Sequence, residues 1–355
     1  MRPCRNPLVH DKRRPDLKNS PPSQPLGAAI ARVMAAAFAL TLALIAPVAV
    51  AGPTTKGGAE QNQKGQAPAG KNQIRGTPAF DGARAFEDLK HLVAFGPRPA
   101  GSDTLARARR WIESELAQSG LQAEEDAFTA ATPAGKLAMT NLIVRIPGSS
   151  SAILMVAGHY DTKRFDNYRF VGANDGGSSA ALVLELARAL ARRPSPDTIW
   201  LVFFDGEEAV GQWSDTDSVY GSRHLVDRLA TKGQLSRVKA MILVDMIGDS
   251  NLDIRRDTQS TGWLTDLVWS TARRLGYSRY FQDELLPVGG DDHFPFINAG
   301  VPAVDLIDFN YGPGNRYWHT AEDTVEHCSP QSLEIVGRVV LASLDAIQNS
   351  PHGRL

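Results

Sequence analysis

Buried strands alternate with amphipathic helices along most of this chain, and no other feature of the sequence limits the fold as strongly. Runs of apolar, β-branched and aromatic residues predict four buried strands at 152–157, 198–204, 238–245 and 301–307. Apolar residues at helical spacing predict helices at 177–193, 261–275 and 330–347. We therefore predict an α/β fold in a single globular domain, with a mixed, mostly parallel central sheet flanked by helices. The stretches 249–256 and 277–292 are predicted to be surface loops that shape a pocket.

Acidic and imidazole side chains stand where these strands end. The run Asp205-Gly206-Glu207-Glu208 directly follows the strand at 198–204. Its adjacent carboxylates repel one another and are costly to desolvate, so they indicate either a solvated strand-to-loop junction or a bound divalent cation. Similar groups at the other strand ends and in nearby loops are His159, Asp161, Asp175, Asp245 and His319. Because ligands bind beyond the carboxyl ends of strands in open α/β sheets, we expect these residues to converge there.

Three of these residues have the chemistry of a catalytic metal site. Asp175, Glu208 and His319 supply the ligand types that zinc takes when one position stays open for water or substrate. Glu207 would then stand beside the metal as a carboxylate suited to proton transfer. Asp175 precedes a predicted helix, so it could instead cap that helix. The same ligand types suit several divalent ions, and the sequence does not choose among them.

Composition excludes some classes of function. With 22% charged residues and a net charge of −1, the chain lacks the basic excess that is typical of nucleic-acid binding. Its two cysteines, Cys4 and Cys328, give no reason to expect an internal disulfide, because the first falls in a predicted signal peptide. Cys328 next to His327 could suggest a nucleophile, but its place before a predicted helix cap favours a structural role.

The amino-terminal part of the chain has the pattern of an export signal. An apolar stretch at 33–46 is followed by Ala49-Val50-Ala51, and the basic residues before it are Lys12, Arg13, Arg14, Lys18 and Arg32. We interpret residues 1–51 as a signal peptide and expect a periplasmic or secreted protein. An uncleaved segment would instead anchor it to a membrane. Residues 52–78 are predicted to be a flexible linker, and residues 79–350 a zinc-dependent catalytic domain.

Several motifs resemble those of the zinc aminopeptidase and glutaminyl cyclase superfamily. They are Gly-His-Tyr-Asp-Thr at 158–162, Gly-Ala-Asn-Asp at 172–175, Asp-Gly-Glu-Glu at 205–208 and Trp-His-Thr at 318–320. The segment at 95–102 resembles the one that opens the catalytic domain of that superfamily. The resemblance covers roughly residues 80–348 and implies a zinc-aminopeptidase-like α/β architecture.

The superfamily contains two kinds of enzyme with the same ligand types. Dinuclear aminopeptidases use five residues, which here would be His159, Asp175, Glu208, Asp245 and His319. Glutaminyl cyclases bind one zinc, through the equivalents of Asp175, Glu208 and His319. In cyclases the equivalent of Asp245 hydrogen-bonds a further aspartate, here Asp291, instead of a second metal.

Three segments resemble the cyclase branch more closely. Residues 291–296 resemble its Asp-Asp-His-x-Pro-Phe segment, residues 213–225 resemble the stretch after its glutamate pair, and Trp318 stands where cyclases place a pocket tryptophan. Some positions depart from the pattern. The loop at 172–177 resembles the aminopeptidase form, Gly290 replaces a glutamine of animal cyclases, and Gly158 replaces a cysteine that those enzymes use in a disulfide.

The resemblance therefore implies a glutaminyl-peptide cyclotransferase, an acyltransferase that converts the N-terminal glutamine of peptides to pyroglutamate and releases ammonia. Trp213 and Trp318 would line its pocket, and Glu207 would carry a proton from the α-amino group to the leaving ammonia. Asp245 and Asp291 would share a proton and titrate as a pair. One zinc per chain is expected.

Two other functions stay open from the sequence. A dinuclear zinc aminopeptidase would hold a second metal with His159 and Asp245 and would use Glu207 to activate a bridging water. A non-catalytic binding module on the same fold would be expected to have lost a ligand or Glu207, and neither is lost. The expected partners are peptide or protein N-termini, with no nucleic acid, and with a membrane only if the signal segment is uncleaved.

Overall fold

The computed structural model describes residues 80–350, and in them it confirms the predicted α/β fold. The strands of this part of the chain are β1 (Ala123–Thr132), β2 (Gly135–Ile146), β3 (Ile153–His159), β4 (Thr198–Phe204), β5 (Val238–Asp245), β6 (Ile254–Asp257), β7 (Phe281–Leu286) and β8 (Ala303–Ile307). Its helices of more than one turn are α1 (Gly82–Ala94), α2 (Asp103–Gln118), α3 (Ser179–Leu190), α4 (Tyr220–Thr231), α5 (Gly262–Arg274), α6 (His293–Asn298) and α7 (Pro330–Gln348). The predicted signal peptide and linker lie outside the described residues.

The central sheet has six strands in the order β1-β2-β4-β3-β5-β8. β4, β3, β5 and β8 are mutually parallel, whereas β1 and β2 add an antiparallel pair at one side. The four parallel strands therefore end at the same edge of the sheet. That edge is where the sequence places its acidic and imidazole residues.

Side chains of the parallel strands alternate between two apolar layers, one on each face of the sheet. In β3, Leu154 and Val156 pack toward α1, α3 and α7, while Ile153 and Met155 pack toward α4 and α6. Because both faces are covered, these strands read in the sequence as continuous apolar runs. Cys328 is buried in the larger layer, and burial raises the pKa of its thiol well above the usual value, as its predicted structural role requires.

The two stretches predicted as surface loops each contain a strand instead. β6 and β7 pair in parallel as a separate small sheet. Ile254 and Phe281 are buried, and Phe281 packs edge-on against Trp269 of α5. Charged residues obscure the strand pattern in the sequence, because they pair at the exposed side, as Arg256 does with Asp283. In the described part of the chain, every helix is too short or too polar to cross a bilayer.

Candidate functional site

The acidic and imidazole residues meet at the carboxyl edge of the sheet. His159 and Asp245 are the last residues of β3 and β5, and Glu207 and Glu208 follow β4. Asp175 lies in the turn before α3, and His319 comes from the loop after β8. All of these except His319 are at least nine-tenths buried. The fold therefore concentrates charged groups where little solvent reaches them.

Asp175, Glu208 and His319 form one group of possible metal ligands. His319 Nε2 lies 3.0 Å from Glu208 Oε1 and 3.1 Å from Asp175 Oδ2, and one donor atom from each residue lies within 4.8 Å of the others. Asp175 Oδ2 and Glu208 Oε2 are buried without a well-aligned hydrogen-bond donor. Buried carboxylate oxygens rarely lack a partner, so these atoms and the imidazole beside them fit a divalent cation.

His159, Asp175 and Asp245 form a second group. His159 Nε2 lies 3.0 Å from Asp245 Oδ1 and 3.3 Å from Asp175 Oδ1, again with one donor from each residue within 4.8 Å of the others. Asp175 thus faces His159 with one carboxylate oxygen and His319 with the other. The donor atoms alone accommodate either one cation or two.

An irregular turn holds Asp175 in this bridging position. The turn at 173–178 is flanked and broken by Gly172 and Gly176, which have φ angles of 51° and 81°. The backbone N–H groups of Asp175 and of the residue before it donate to the Asp323 carboxylate. The buried Arg98 guanidinium donates to the carbonyl of Gly172 at 3.1 Å. The Asp175 carboxylate faces the two histidines, and no side chain caps α3.

Asp161 fixes the backbone of the glutamate pair. Its carboxylate oxygens accept the N–H groups of Glu207 at 3.2 Å and Glu208 at 3.4 Å. Gly206 between the strand and the pair has a φ of 70°, and a Cβ there would lie 2.6 Å from the sulfur of Met139. The chain therefore turns after the strand at a position whose positive φ favours glycine, and the glutamate pair follows directly.

The electrostatics of the site favour a positive charge. Burial, together with Glu208 and Asp291, raises the pKa of Glu207 well above its ordinary value. Burial opposes a charge on the His319 imidazole, but Glu208 and Asp175 outweigh it and raise its pKa to about 10. Anionic groups at this density are stable only with protons, protonated histidines or a metal ion among them.

A cavity of about 570 Å³ opens onto these groups. Its charged lining includes Asp175, Glu207, Glu208, Asp245 and Asp291. Its apolar lining consists of Trp213, Met246, Val288, Ile307, Phe309 and Trp318. Trp318 stacks on His319 with ring centroids 4.2 Å apart, and Trp213 is 45% exposed at the rim. The structure thus places both predicted pocket tryptophans on the wall of the cavity.

The expected hydrogen bond between Asp245 and Asp291 is absent from the described residues. Asp245 Oδ1 is engaged instead by His159 and by the Ser179 hydroxyl at 3.3 Å. Asp291 accepts the N–H of Asp292 with one oxygen, and its other oxygen has no partner. Burial, together with Asp245 and Asp292, raises the pKa of Asp291 well above its ordinary value, so the two aspartates interact through space rather than through a hydrogen bond.

A third group of possible ligands adjoins the cavity at Asp291. Asp291, His293 and Asp305 are all buried, with one donor atom from each within 4.8 Å of the others. His293 Nε2 lies 3.2 Å from Asp257 Oδ2, and burial raises the pKa of Asp305 well above its ordinary value. Asp291 alone of the three lines the cavity, so the other two reach the site only through it.

The sequence pattern missed residues that position others. Asp323 and Arg98 hold the Asp175 turn, and the Asp217 carboxylate accepts the N–H groups of Val210, Gly211 and Gln212. Arg98 and Asp217 lie in the family-like segments 95–102 and 213–225, and Asp323 is an acid four residues after His319 in the same loop, but none of these signals indicated a positioning role.

The chain is similar in sequence to a known protein family and to several of its members. The model of "Peptidase family M28" matches residues 141–344, more than half of the 355 residues. A glutaminyl-peptide cyclotransferase-like protein of Bos taurus is 32% identical over 275 residues, covering 70% of this chain and 71% of that protein. A glutaminyl-peptide cyclotransferase of Boiga irregularis is 32% identical over 295 residues, covering 72% of this chain and 79% of the relative.

The solved structures that share this fold include a glutaminyl cyclase and an exopeptidase. An Acidobacteriales bacterium glutaminyl cyclase is 42% identical with a TM-score of 0.73, and the match covers 80% of this chain and 99% of that one. A Zn-dependent exopeptidase from Parabacteroides distasonis is 25% identical with a TM-score of 0.69, covering 76% of this chain and 99% of that one.

Proposed function

The chain belongs to peptidase family M28, in its glutaminyl-peptide cyclotransferase branch, and from that membership we propose that it converts the N-terminal glutamine of peptides to pyroglutamate with release of ammonia. The observation that favours cyclisation over peptide hydrolysis is the 42% identity to a glutaminyl cyclase across 99% of that structure. The cavity supports it, because one carboxylate suited to proton transfer stands beside an aromatic wall and a cluster of ligand-type residues.

Asp175, Glu208 and His319 would hold one zinc ion, because their donor atoms converge and two of their buried oxygens lack aligned donors. When bound, the metal polarises the side-chain carbonyl of the substrate glutamine and stabilises the negative charge that develops on its oxygen. Trp318 packs on the His319 ring and Tyr168 donates to the His319 backbone carbonyl at 2.6 Å, so one contact orients the imidazole and the other fixes its backbone.

Glu207 carries the proton through the reaction. As a carboxylate it takes a proton from the substrate α-amino group, whose nitrogen attacks the side-chain amide carbon. The new C–N bond closes the five-membered ring, and the C–N bond to the amide nitrogen breaks. Glu207 returns the proton, and the nitrogen leaves as ammonia. The nucleophile and the electrophile belong to one residue, so the cavity only has to orient that residue. No second reactant and no activated water are needed.

Asp245 and Asp291 would moderate the charge of the site. Both line the cavity, and Asp291 Oδ2 is buried without a hydrogen-bond partner. A proton held on Asp291, whose pKa is raised by burial and by Asp245, would reduce the negative charge that otherwise attracts a second cation. His159, bonded to Asp245, would add a further positive group on the same side.

The dinuclear aminopeptidase is the second function that an observation favours. His159, Asp175 and Asp245 form a ligand group of their own, and a Zn-dependent exopeptidase shares the fold. In that enzyme Glu207 would activate a metal-bridging water and the product would be a free amino acid.

Two measurements on the purified protein separate these functions. Peptides with N-terminal glutamine are incubated with the protein, and ammonia, pyroglutamate and free amino acids are assayed. Metal content per chain is measured by elemental analysis. Pyroglutamate with about one zinc per chain is the expected result. Released amino acids with about two metals per chain would replace the cyclase with the peptidase.

We also propose that the protein works outside the cytoplasm on exposed peptide or protein N-termini. The support is the signal-like pattern of residues 1–51. Cell fractionation of a tagged chain, with sequencing of the mature N-terminus, tests the proposal. A full-length product in the cytoplasmic fraction would contradict it, and a full-length product in the membrane would favour the anchored alternative.

A further inference from the structure

A groove adjoins the cavity and shares one wall with it. Trp213, Gly289, Gly290 and Asp291 line both spaces, and the groove has a volume of about 490 Å³. Its far side is formed by α4 and α6. The shared wall is low, because Gly289 and Gly290 carry no side chain and a Cβ at either position would meet nothing within 4 Å. A peptide can therefore pass from one space to the other over this pair.

Exposed aromatic rings mark the groove. In residues 80–350, the large apolar side chains that stay exposed are Trp213, Phe294 and Leu285, at 45%, 37% and 72%. Trp213 and Phe294 both line the groove, whereas Leu285 lies on β7 and lines neither space. Exposed aromatics concentrated beside one cleft indicate a surface that binds apolar groups.

The free charge of the groove is negative. Asp215 and Asp227 are exposed on its lining, and neither forms an ion pair in the described part of the chain. Arg223 also lines it, but its guanidinium donates to the carbonyls of Ser218 and Thr216 and lies 4.9 Å from the centre of the Tyr220 ring. A ligand in the groove thus meets two exposed carboxylates and one guanidinium whose donors are already used, and this negative balance favours a positively charged partner.

We propose that this groove binds the residues that follow the N-terminal glutamine of the substrate, an inference that rests on the proposed cyclase activity. The glutamine occupies the cavity and the chain leaves it over Gly289 and Gly290. The second residue lies between Trp213 and Phe294, which favours an apolar or aromatic side chain there. A basic side chain at the third residue lies near Asp215 and Asp227.

Peptide length and sequence test this assignment. The substrates are Gln-Phe-Lys-amide, Gln-Phe-Glu-amide and Gln-Gly-Lys-amide, with kcat/KM measured from ammonia release. In the unmodified protein we expect kcat/KM to be roughly fivefold higher for Gln-Phe-Lys-amide than for Gln-Gly-Lys-amide, since partial burial of an aromatic side chain is worth about 1 kcal/mol. We expect kcat/KM to be roughly threefold higher for Gln-Phe-Lys-amide than for Gln-Phe-Glu-amide, and we expect this difference to decrease as the salt concentration rises.

Two variants assign those preferences to named residues. Phe294→Ala should reduce the phenylalanine-to-glycine ratio to near one, and Asp227→Asn should reduce the lysine-to-glutamate ratio. Leu285→Ala and Asp103→Asn are the matched controls, because they alter an exposed leucine and an exposed aspartate that line neither space, and both ratios should stay as in the unmodified protein.

The outcomes separate this inference from the function beneath it. Equal turnover of all three peptides, or ratios that both variants leave unchanged, overturns the groove assignment while cyclisation stands. Rates that change with protein concentration, together with dimers in solution, would assign the groove to a second copy of the chain instead. Failure of every glutamine peptide to yield pyroglutamate overturns the proposed function.

Discussion

At the scale of single residues, two adjacent glutamates of one turn have different surroundings and therefore different chemistry. Glu208 contacts His319 at 3.0 Å and lies 3.6 Å from the Lys163 ammonium, so two positive groups lie beside it, although burial and Asp175 raise its pKa. Glu207 is buried near further acids, and both burial and those acids raise its pKa. The imidazole nitrogen nearest to it belongs to His159 and is 3.9 Å away. One carboxylate is placed to bind a cation and the other to exchange a proton.

Substituting each glutamate separately tests that division. Glu207→Gln should lower kcat by about 10²- to 10⁴-fold and leave the bound zinc in place, because the variant loses only the proton carrier. Glu208→Gln should lower the metal content as well. Ammonia release and elemental analysis of both variants give the comparison. Unchanged turnover in Glu207→Gln would reject the proton-carrier role.

Asp205 gives a prediction about stability and pH. Burial, together with Asp161, raises its pKa to about 8, whereas in an unfolded chain the pKa of aspartate is near 3.9. Between those values the folded protein keeps a proton that the unfolded chain loses. The stabilisation is therefore complete below about pH 4 and disappears as pH rises toward 8.

We expect Asp205→Asn to remove this loss, because asparagine stays neutral and can still accept the N–H of Thr140 as Asp205 does. Relative to the unmodified protein, its free energy of unfolding should gain about 3–4 kcal/mol between pH 5 and pH 8, because one proton of difference is worth about 1.4 kcal/mol per pH unit. Urea unfolding at a series of pH values measures the difference. Parallel pH profiles for the two proteins would show that Asp205 does not titrate in this range.

The residues that bear chemistry were predictable to the extent that they sit next to a recognisable element. His159, Glu208 and Asp245 end or follow apolar strand runs, so the parallel sheet alone brings them to one edge. Arg98 was not predictable, because its partners are backbone carbonyls from segments up to 74 residues away. No local pattern records which carbonyls a long side chain will reach.

At the scale of elements, the loop after the glutamate pair is held by one carboxylate. Asp217 accepts the N–H groups of Val210, Gly211 and Gln212 at 2.8–2.9 Å and the Tyr220 hydroxyl at 2.7 Å. These bonds lower the pKa of Asp217 despite its burial. The same loop carries Trp213 on the cavity wall, so Asp217 positions a residue of the substrate pocket without touching the cavity.

Asp217→Asn should therefore raise KM by about three- to tenfold with little change in kcat or zinc content, because the loop loosens while the ligands and Glu207 stay in place. Steady-state kinetics with one glutamine peptide measure the split. Asp103→Asn, an exposed aspartate outside the cavity, is the control. A fall in kcat with unchanged KM would mean that the loop acts on the chemical step.

Strands and helices are predictable from the sequence where burial gives their residues a clear apolar pattern. β3, β4 and β5 are covered on both faces and read as apolar runs, whereas β1 is an edge strand with alternating partial exposure and was missed. Gly158, which the family pattern left unexplained, has a structural cause. A Cβ there would lie 2.7 Å from Ser179 Cβ and 2.9 Å from the Val244 carbonyl, so close packing of β3 excludes any side chain.

At the scale of the whole molecule, the parallel sheet gathers a negative cluster that only a cation or bound protons relieve. A metal that binds the folded chain and not the unfolded one adds stability by mass action, about 4 kcal/mol when free metal exceeds its Kd a thousandfold. Removing zinc with a chelator should lower Tm by about 5–15 °C, and restoring zinc should reverse the change.

Asp175→Asn is the matched control for this experiment, because it removes the carboxylate shared by both ligand groups. Its Tm should not respond to chelator or to added zinc. Differential scanning calorimetry of both proteins gives the comparison. If the Tm of the unmodified protein does not change when the chelator is added, metal binding and folding are independent.

The buried Arg98 guanidinium links parts of the chain that lie far apart in sequence. It donates to carbonyls of Leu92 and Gly96 near the end of α1, to Tyr160 after β3, and to Val171 and Gly172 before the bridging aspartate. A truncation that removes Arg98 would therefore spare every ligand residue and still take away the support of the turn that carries Asp175.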